Sequence, residues 1–136
     1  MDDVVLRKAA TIERCLKRVR ETYAAPSDVP FEQDYDRQDV IVLNVLRACE
    51  AALDLANHAI LIRHLGLPAT SRDSFRLIAE AGLVSHELAE RLQRMVSFRN
   101  LVVHDYGGLN LDILRAIVER HLSDFEALTH ALLTAW

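Results

Sequence analysis

Glycine and proline are scarce in this sequence, four and three among 136 residues, which leaves too few turn positions for an all-β fold. Cysteine is scarcer. Cys15 and Cys49 are too few and too isolated to make a disulfide framework, and each falls on an apolar face of a predicted helix, as buried free thiols do. No basic-then-apolar segment opens the chain, and no apolar run reaches the roughly 18 residues that a membrane span requires. The cytoplasm is therefore the expected location, and no membrane partner is expected. Metal-ligand spacing is missing too. His58 and His64 stand six apart, not the three or four that set two ligands on one helical face, so neither a metal nor another cofactor is expected. Nor is there an excess of cations: the formal net charge is −4. That balance argues against a broad nucleic-acid-binding surface. Any RNA chemistry has to rest on a local cluster of cations, or on a groove completed by a second subunit.

What the sequence does contain is helix-forming residues in helical periods, over a length that predicts one domain spanning 1–136. Val5, Ala9, Ile12, Leu16, Val19 and Tyr23 recur at spacings of four and three, which predicts a first helix from about Asp2 to Tyr23. Pro26 and Pro30 bracket a loop of about a dozen residues. The second and longest helix is predicted from Arg37 to Leu65, with an alanine-rich stripe through Ala48, Ala52 and Ala59 that lets a neighbour approach closely; Gly66 and Pro68 end it. A short third helix starts at Thr70 or Ser71 and ends near Gly82. Ser85 caps a fourth helix running to about Val103, which Gly107 and Gly108 break. Asn110 caps a fifth that reaches nearly to Trp136. The fold class is all-α: an antiparallel bundle of four long helices and one short one.

The chemistry concentrates in Ser97 to Tyr106. Within eight residues this segment holds a permanent cation, Arg99, a titratable imidazole, His104, and a phenol, Tyr106. On an unbroken helix Arg99 and His104 lie five steps of about 100° apart, so they point roughly 140° away from each other. To cooperate within one chain they need a distorted or terminated helix near Val103. Otherwise they cooperate across a dimer, where a symmetric interface brings two copies of each together.

The pattern of arginine, four residues, histidine, one residue and tyrosine resembles the signature of HEPN ribonucleases, and of HepT toxins among them. Here it is complete in Arg99, His104 and Tyr106. The resemblance extends along the chain. Arg47 to His58 is similar to the family's second helix, Ser71 to Phe75 to the start of its third, and Leu109 to Ile113 to the start of its last. The resemblance implies a HEPN-like homodimer with its cleft at the dimer interface, and a metal-independent endoribonuclease acting on RNA, tRNA included. It also implies a cognate minimal nucleotidyltransferase antitoxin of the MntA kind, which silences the toxin by adding AMP to the tyrosine of the motif, here Tyr106.

The residue types suit that chemistry. Metal-independent RNA cleavage needs a base for the 2′-hydroxyl and an acid for the leaving oxygen, and histidine serves both near neutral pH. It also needs a fixed cation for the charge that builds on phosphorus, which a planar guanidinium supplies. His104 is thus assigned the acid–base role and Arg99 the phosphate, with Asn100 adding a hydrogen bond. Arg47, Glu50, Asp54 and Asn57 form a polar stripe on the second helix. They are either a solvated face or, for Glu50, Asp54 or Asn57, residues that orient Arg99 or His104. Arg91 and Arg94 read as surface charges, or as an extension of an RNA track. His121 reads as a packed histidine.

Each site residue also has a plainer reading. A lone Arg99 would cap helix carbonyls, a lone His104 would be a satisfied helix-end histidine, and Tyr106 an ordinary half-buried aromatic. The rival function is a non-catalytic helical subunit that presents substrate to a nucleotidyltransferase. An intact Arg99 and His104 pair separates the two, because an adaptor has no chemical need of it.

Overall fold

The computed structural model describes residues 2–135, with the side chain of Tyr106 outside that description. Asp2 starts the fold. Its carboxylate accepts the Val4 amide proton at 2.8 Å and caps α1 (Asp3–Ala24), satisfying one of the amides that every helix start leaves without a partner. The expected stripe is buried: Val5, Ile12, Leu16 and Val19 are each at most 1% exposed. The last carbonyls of α1 are met from outside the helix. Arg37 donates to Thr22 at 3.2 Å and to Tyr23 at 2.6 Å, so a cation from the next helix closes the end.

After a loop with a short 3-10 turn (Phe31–Gln33), α2 (Tyr35–Arg63) begins two residues before the predicted start. The physical reason is Asp34, which caps it by accepting the Arg37 amide proton at 3.2 Å. The helix leaves through His64, not through Gly66 as the sequence suggests. His64 adopts the left-handed conformation at φ 55°, and the Leu65 amide reaches back to the Ile60 carbonyl at 3.0 Å, the six-to-one bond of a glycine-type helix exit. A Cβ in that conformation is strained. His64→Gly should therefore raise stability by about 0.5–1 kcal/mol, readable as a rise of a few degrees in the melting temperature. An unchanged or lower value would mean that the histidine ring is held by contacts that offset the strain.

Thr70 and Ser85 cap α3 (Ser71–Glu80) and α4 (His86–His104), as expected. The predicted fifth helix is not one regular helix. It consists of α5 (Leu111–Ala116), a π-helical turn (Ile117–His121) and α6 (Leu122–Leu133). The wider turn shifts the phase of everything after it, so that Ile117, Val118, Leu122 and Phe125 all reach the core. His121 is rotated to the edge as a result. It is 38% exposed, with Nδ1 3.2 Å from an Asp124 carboxylate oxygen, instead of being packed within the stripe.

Side-chain pairs fix the directions of the long helices. Asp2 meets His58, Lys8 meets Asp54 and Arg37 meets the end of α1; each step forward along α1 is a step backward along α2, so the two are antiparallel. α2 touches α1, α3, α4 and α6. Its central place explains the alanines: Ala48, Ala52, Ala56 and Ala59 are at most 1% exposed, and their small side chains admit close neighbours. Every regular element among the described residues is helical, and the buried apolar side chains of these helices form one continuous cluster. None of the described helices is long and apolar enough to cross a membrane.

Candidate active site at the end of α4

α4 does not break at Val103. It stays helical through His104 and ends where the Asp105 amide bonds the Leu101 carbonyl at 2.9 Å. The chain then enters a 3-10 turn (Tyr106–Gly108) in which the Gly108 amide donates to both the backbone carbonyl and the carboxylate of Asp105 at 3.2 and 3.1 Å. A Cβ on Gly108 would stand 2.5 Å from that carboxylate, so a glycine allows the turn to fold tightly onto Asp105. The expected modification residue, Tyr106, opens this turn; its side chain lies outside the described residues.

Because the helix is continuous, Arg99 and His104 keep their separation of about 140°. Arg99 faces inward. Its side chain is 19% exposed, it forms an ion pair with Glu50 of α2, and its Nη2 lies 3.5 Å from the Ser71 hydroxyl of α3. Its Nε–H is buried without a partner among the described residues. His104 faces outward, on the exposed side of α4 that it shares with Arg94, Ser97 and Leu101 at spacings of three and four. Two large apolar side chains flank it in the open: Leu101 is 51% exposed and Val103 64%. A single protomer thus offers the cation on one side of α4 and the imidazole on the other.

The remaining sequence-derived residues divide. Glu50 reaches Arg99. Asp54, one turn further along α2, instead pairs with Lys8 of α1 at 2.8 Å, and the Asn57 side-chain carbonyl accepts the Ser74 hydroxyl proton at 2.6 Å. Asn100 is exposed beside Arg99. Ser71 is the contact that the reading of the residues missed. It lies 28 positions from Arg99 in sequence, and only the docking of α3 between α2 and α4 brings it near. Arg91 donates from Nε to the buried Asp124 at 3.0 Å, and Arg94 to Glu90 at 2.8 Å, so each guanidinium already has a carboxylate.

Both cysteines are buried free thiols. Cys49, adjacent to Glu50, has its thiol pushed up to about 12 by burial, against a partial pull downward from Arg99. It stays protonated at neutral pH and is no nucleophile. Among the described residues no three His, Cys, Asp or Glu side chains converge as a metal-holding group.

Known proteins agree with this architecture. The family model described as ribonuclease HepT-like matches residues 12–132. The mRNA nuclease HepT of Shewanella oneidensis is 47% identical over 126 residues, 93% of each chain. A putative RNase of Archaeoglobus fulgidus is 28% identical over 110 residues, 79% of this chain and 81% of that one. Among solved structures, the tri-AMPylated Shewanella oneidensis HEPN toxin in complex with MNT antitoxin superposes with a TM-score of 0.91 at 44% identity, covering 98% of both chains. A toxin–antitoxin complex with AMP-PNP superposes at 0.91 with 43% identity, over 97% of this chain and 98% of that one. The match to the family model over residues 12–132 and the 47% identity to a HepT nuclease over 93% of the chain place this protein in the ribonuclease HepT-like family.

Proposed function

We propose that this protein is the toxin of a HEPN–nucleotidyltransferase toxin–antitoxin pair. It is a metal-independent endoribonuclease whose site is assembled between two protomers from Arg99 of one and His104 of the other. The observation that carries the reading is the opposite facing of those two side chains on a helix that does not break. A two-fold axis near the end of α4 gathers two copies of each side chain into one dimer, so that an RNA spanning the interface meets His104 of one protomer and Arg99 of the other. Leu101 and Val103, exposed beside His104, supply apolar area for such an interface.

In that cleft His104 takes the 2′-hydroxyl proton as the oxygen attacks phosphorus. The imidazolium then returns a proton to the departing 5′ oxygen, leaving a 2′,3′-cyclic phosphate and a 5′-hydroxyl end. Arg99 holds the non-bridging oxygens as charge builds on them. Glu50 and Ser71 keep the guanidinium in place, and Asn100 is positioned to add a hydrogen bond. The deciding experiment is cleavage of total RNA, tRNA included, by unmodified protein in excess chelator. Cleavage under those conditions supports the reading. Its absence in folded protein overturns it in favour of a non-catalytic subunit that serves a nucleotidyltransferase.

The partner is a minimal nucleotidyltransferase, and its target here is Tyr106. AMP added to this residue, two positions beyond His104, brings tethered phosphates that compete with RNA for Arg99. Tyr106→Phe should retain RNA cleavage but escape neutralisation when the nucleotidyltransferase is co-expressed, with no AMP adduct in the intact mass. An adduct on the phenylalanine variant would place the modification elsewhere.

Glu50 separates orientation from competition. If its carboxylate positions Arg99, Glu50→Ala should lower the single-turnover cleavage rate by about 10–100-fold, the usual loss when the partner that orients a functional ligand is removed. A faster rate would show instead that Glu50 competes with the RNA phosphate for the guanidinium.

A further inference from the structure

The cations of this acidic protein are not evenly neutralised. Arg20, Arg91, Arg94 and Arg99 each sit against a carboxylate. Arg14, Arg18 and Arg47 are exposed, and among the described residues none of the three is in an ion pair. They are also clustered. Arg14 and Arg18 lie one turn apart on α1, and Arg47 faces them from α2. Together they line two cavities of about 340 and about 410 Å³ that share Arg14, Asn44 and Arg47 and so form one groove. Both Arg14 and Arg47 act on the same buried thiol: Cys15, raised by burial, is drawn down by the two guanidinium charges.

The far end of the groove reaches Glu50 and Asp54, but those carboxylates are taken by Arg99 and Lys8. What remains along the groove is positive charge, in a concave setting that concentrates the field. The groove ends on the side chain that holds Arg99. We infer that the α1–α2 groove of Arg14, Arg18 and Arg47 is a phosphate-binding channel that carries the RNA backbone toward Arg99. This rests on the ribonuclease reading above. RNA fits better than an acidic protein surface, because the channel is concave and ends at Glu50, the partner of Arg99. The channel also accounts for RNA binding by a protein of net charge −4: the cations are gathered along one path, not spread over the surface.

The test uses protein made unable to cleave by His104→Ala. Binding of a labelled single-stranded oligoribonucleotide is measured from low to moderate salt, with and without the triple change Arg14→Ala, Arg18→Ala and Arg47→Ala. Each lost phosphate contact on a single strand removes about 0.7 from the slope of log affinity against log salt. The triple variant should therefore lose about 2 in slope and at least tenfold in affinity, equally for unrelated sequences. Lysine at the same three positions should keep most of the slope. In protein with His104 intact, the triple variant should raise KM for long RNA with kcat nearly unchanged, and cleave a dinucleotide as well as the parent does. If the triple variant does not fold, Arg47→Ala alone should lower the slope by about 0.7. An unchanged slope and KM in folded variants overturns the channel, as does lost binding to the nucleotidyltransferase with RNA binding intact. Failure of the ribonuclease reading would show separately, as no cleavage by the parent.

Discussion

His104→Ala should reduce RNA cleavage by about 10²–10⁴-fold, the span that general acid–base catalysis contributes, and Arg99→Ala by about 10²–10³-fold through lost stabilisation of charge on the phosphoryl group. The two losses should differ in kind. His104 is exposed at the end of α4, so its removal leaves the bundle and the RNA groove intact, and kcat falls while KM holds. Arg99 is tied into the bundle through Glu50 and Ser71. Its truncation leaves Glu50 without its cation and removes the phosphate contact, so KM should rise as kcat falls. The measurement is single-turnover cleavage in chelator, with melting temperatures to show that both variants are folded. Arg99→Lys should recover only part of the activity, because an ammonium keeps the charge but not the planar two-point grip. Full activity in either alanine variant would remove that residue from the site.

Mixing those two inactive proteins should restore activity. In a dimer made of one Arg99→Ala chain and one His104→Ala chain, a site built from Arg99 of one protomer and His104 of the other is intact at one of its two positions and doubly damaged at the other. After random exchange of subunits about half of the dimers are mixed, so recovery should reach about a quarter of parental cleavage, about 25-fold or more above either variant alone. If Arg99 and His104 instead act within one chain, every site in every mixed dimer lacks one of them and nothing is recovered. The measurement also tests association, because protein that stays monomeric by light scattering cannot complement. The expectation stands on helical geometry: α4 holds its register from His86 to His104, so no rotation within the protomer brings the two side chains to one face. Substituting Leu101 or Val103 with a charged residue should abolish the recovery by breaking the interface while leaving the bundle folded, since both side chains are already in the open.

Much of the architecture can be read from local pattern. The stripe of α1 and the alanine seam of α2 are periodic, and Thr70, Ser85 and Asn110 are helix-start residues placed three or fewer positions before the amides they accept from; periodicity and capping depend on neighbours in sequence. Where the reading differs from the structure, a distant or strained feature is responsible. His64 takes a left-handed exit that glycine was expected to take. The π turn between α5 and α6 is invisible to a search for a 3.6-residue period, because it changes the period itself.

For the site, the sequence alone determined the chemical inventory. Arg99, His104 and Tyr106 fall within eight residues, and fixed spacing along a helix already dictates that the first two point apart. Tertiary structure decided which of the candidate polar residues on α2 serves Arg99: Glu50 touches it, while Asp54 is drawn to Lys8 and Asn57 to Ser74. It also decided that Ser71 joins them, and that Arg14, Arg18 and Arg47 share one groove. The reason is the range of the forces involved. A residue's own helix sets the direction of its side chain within a turn or two. Which charge it meets depends on how other helices dock, and that follows from burying apolar faces spread along the whole chain.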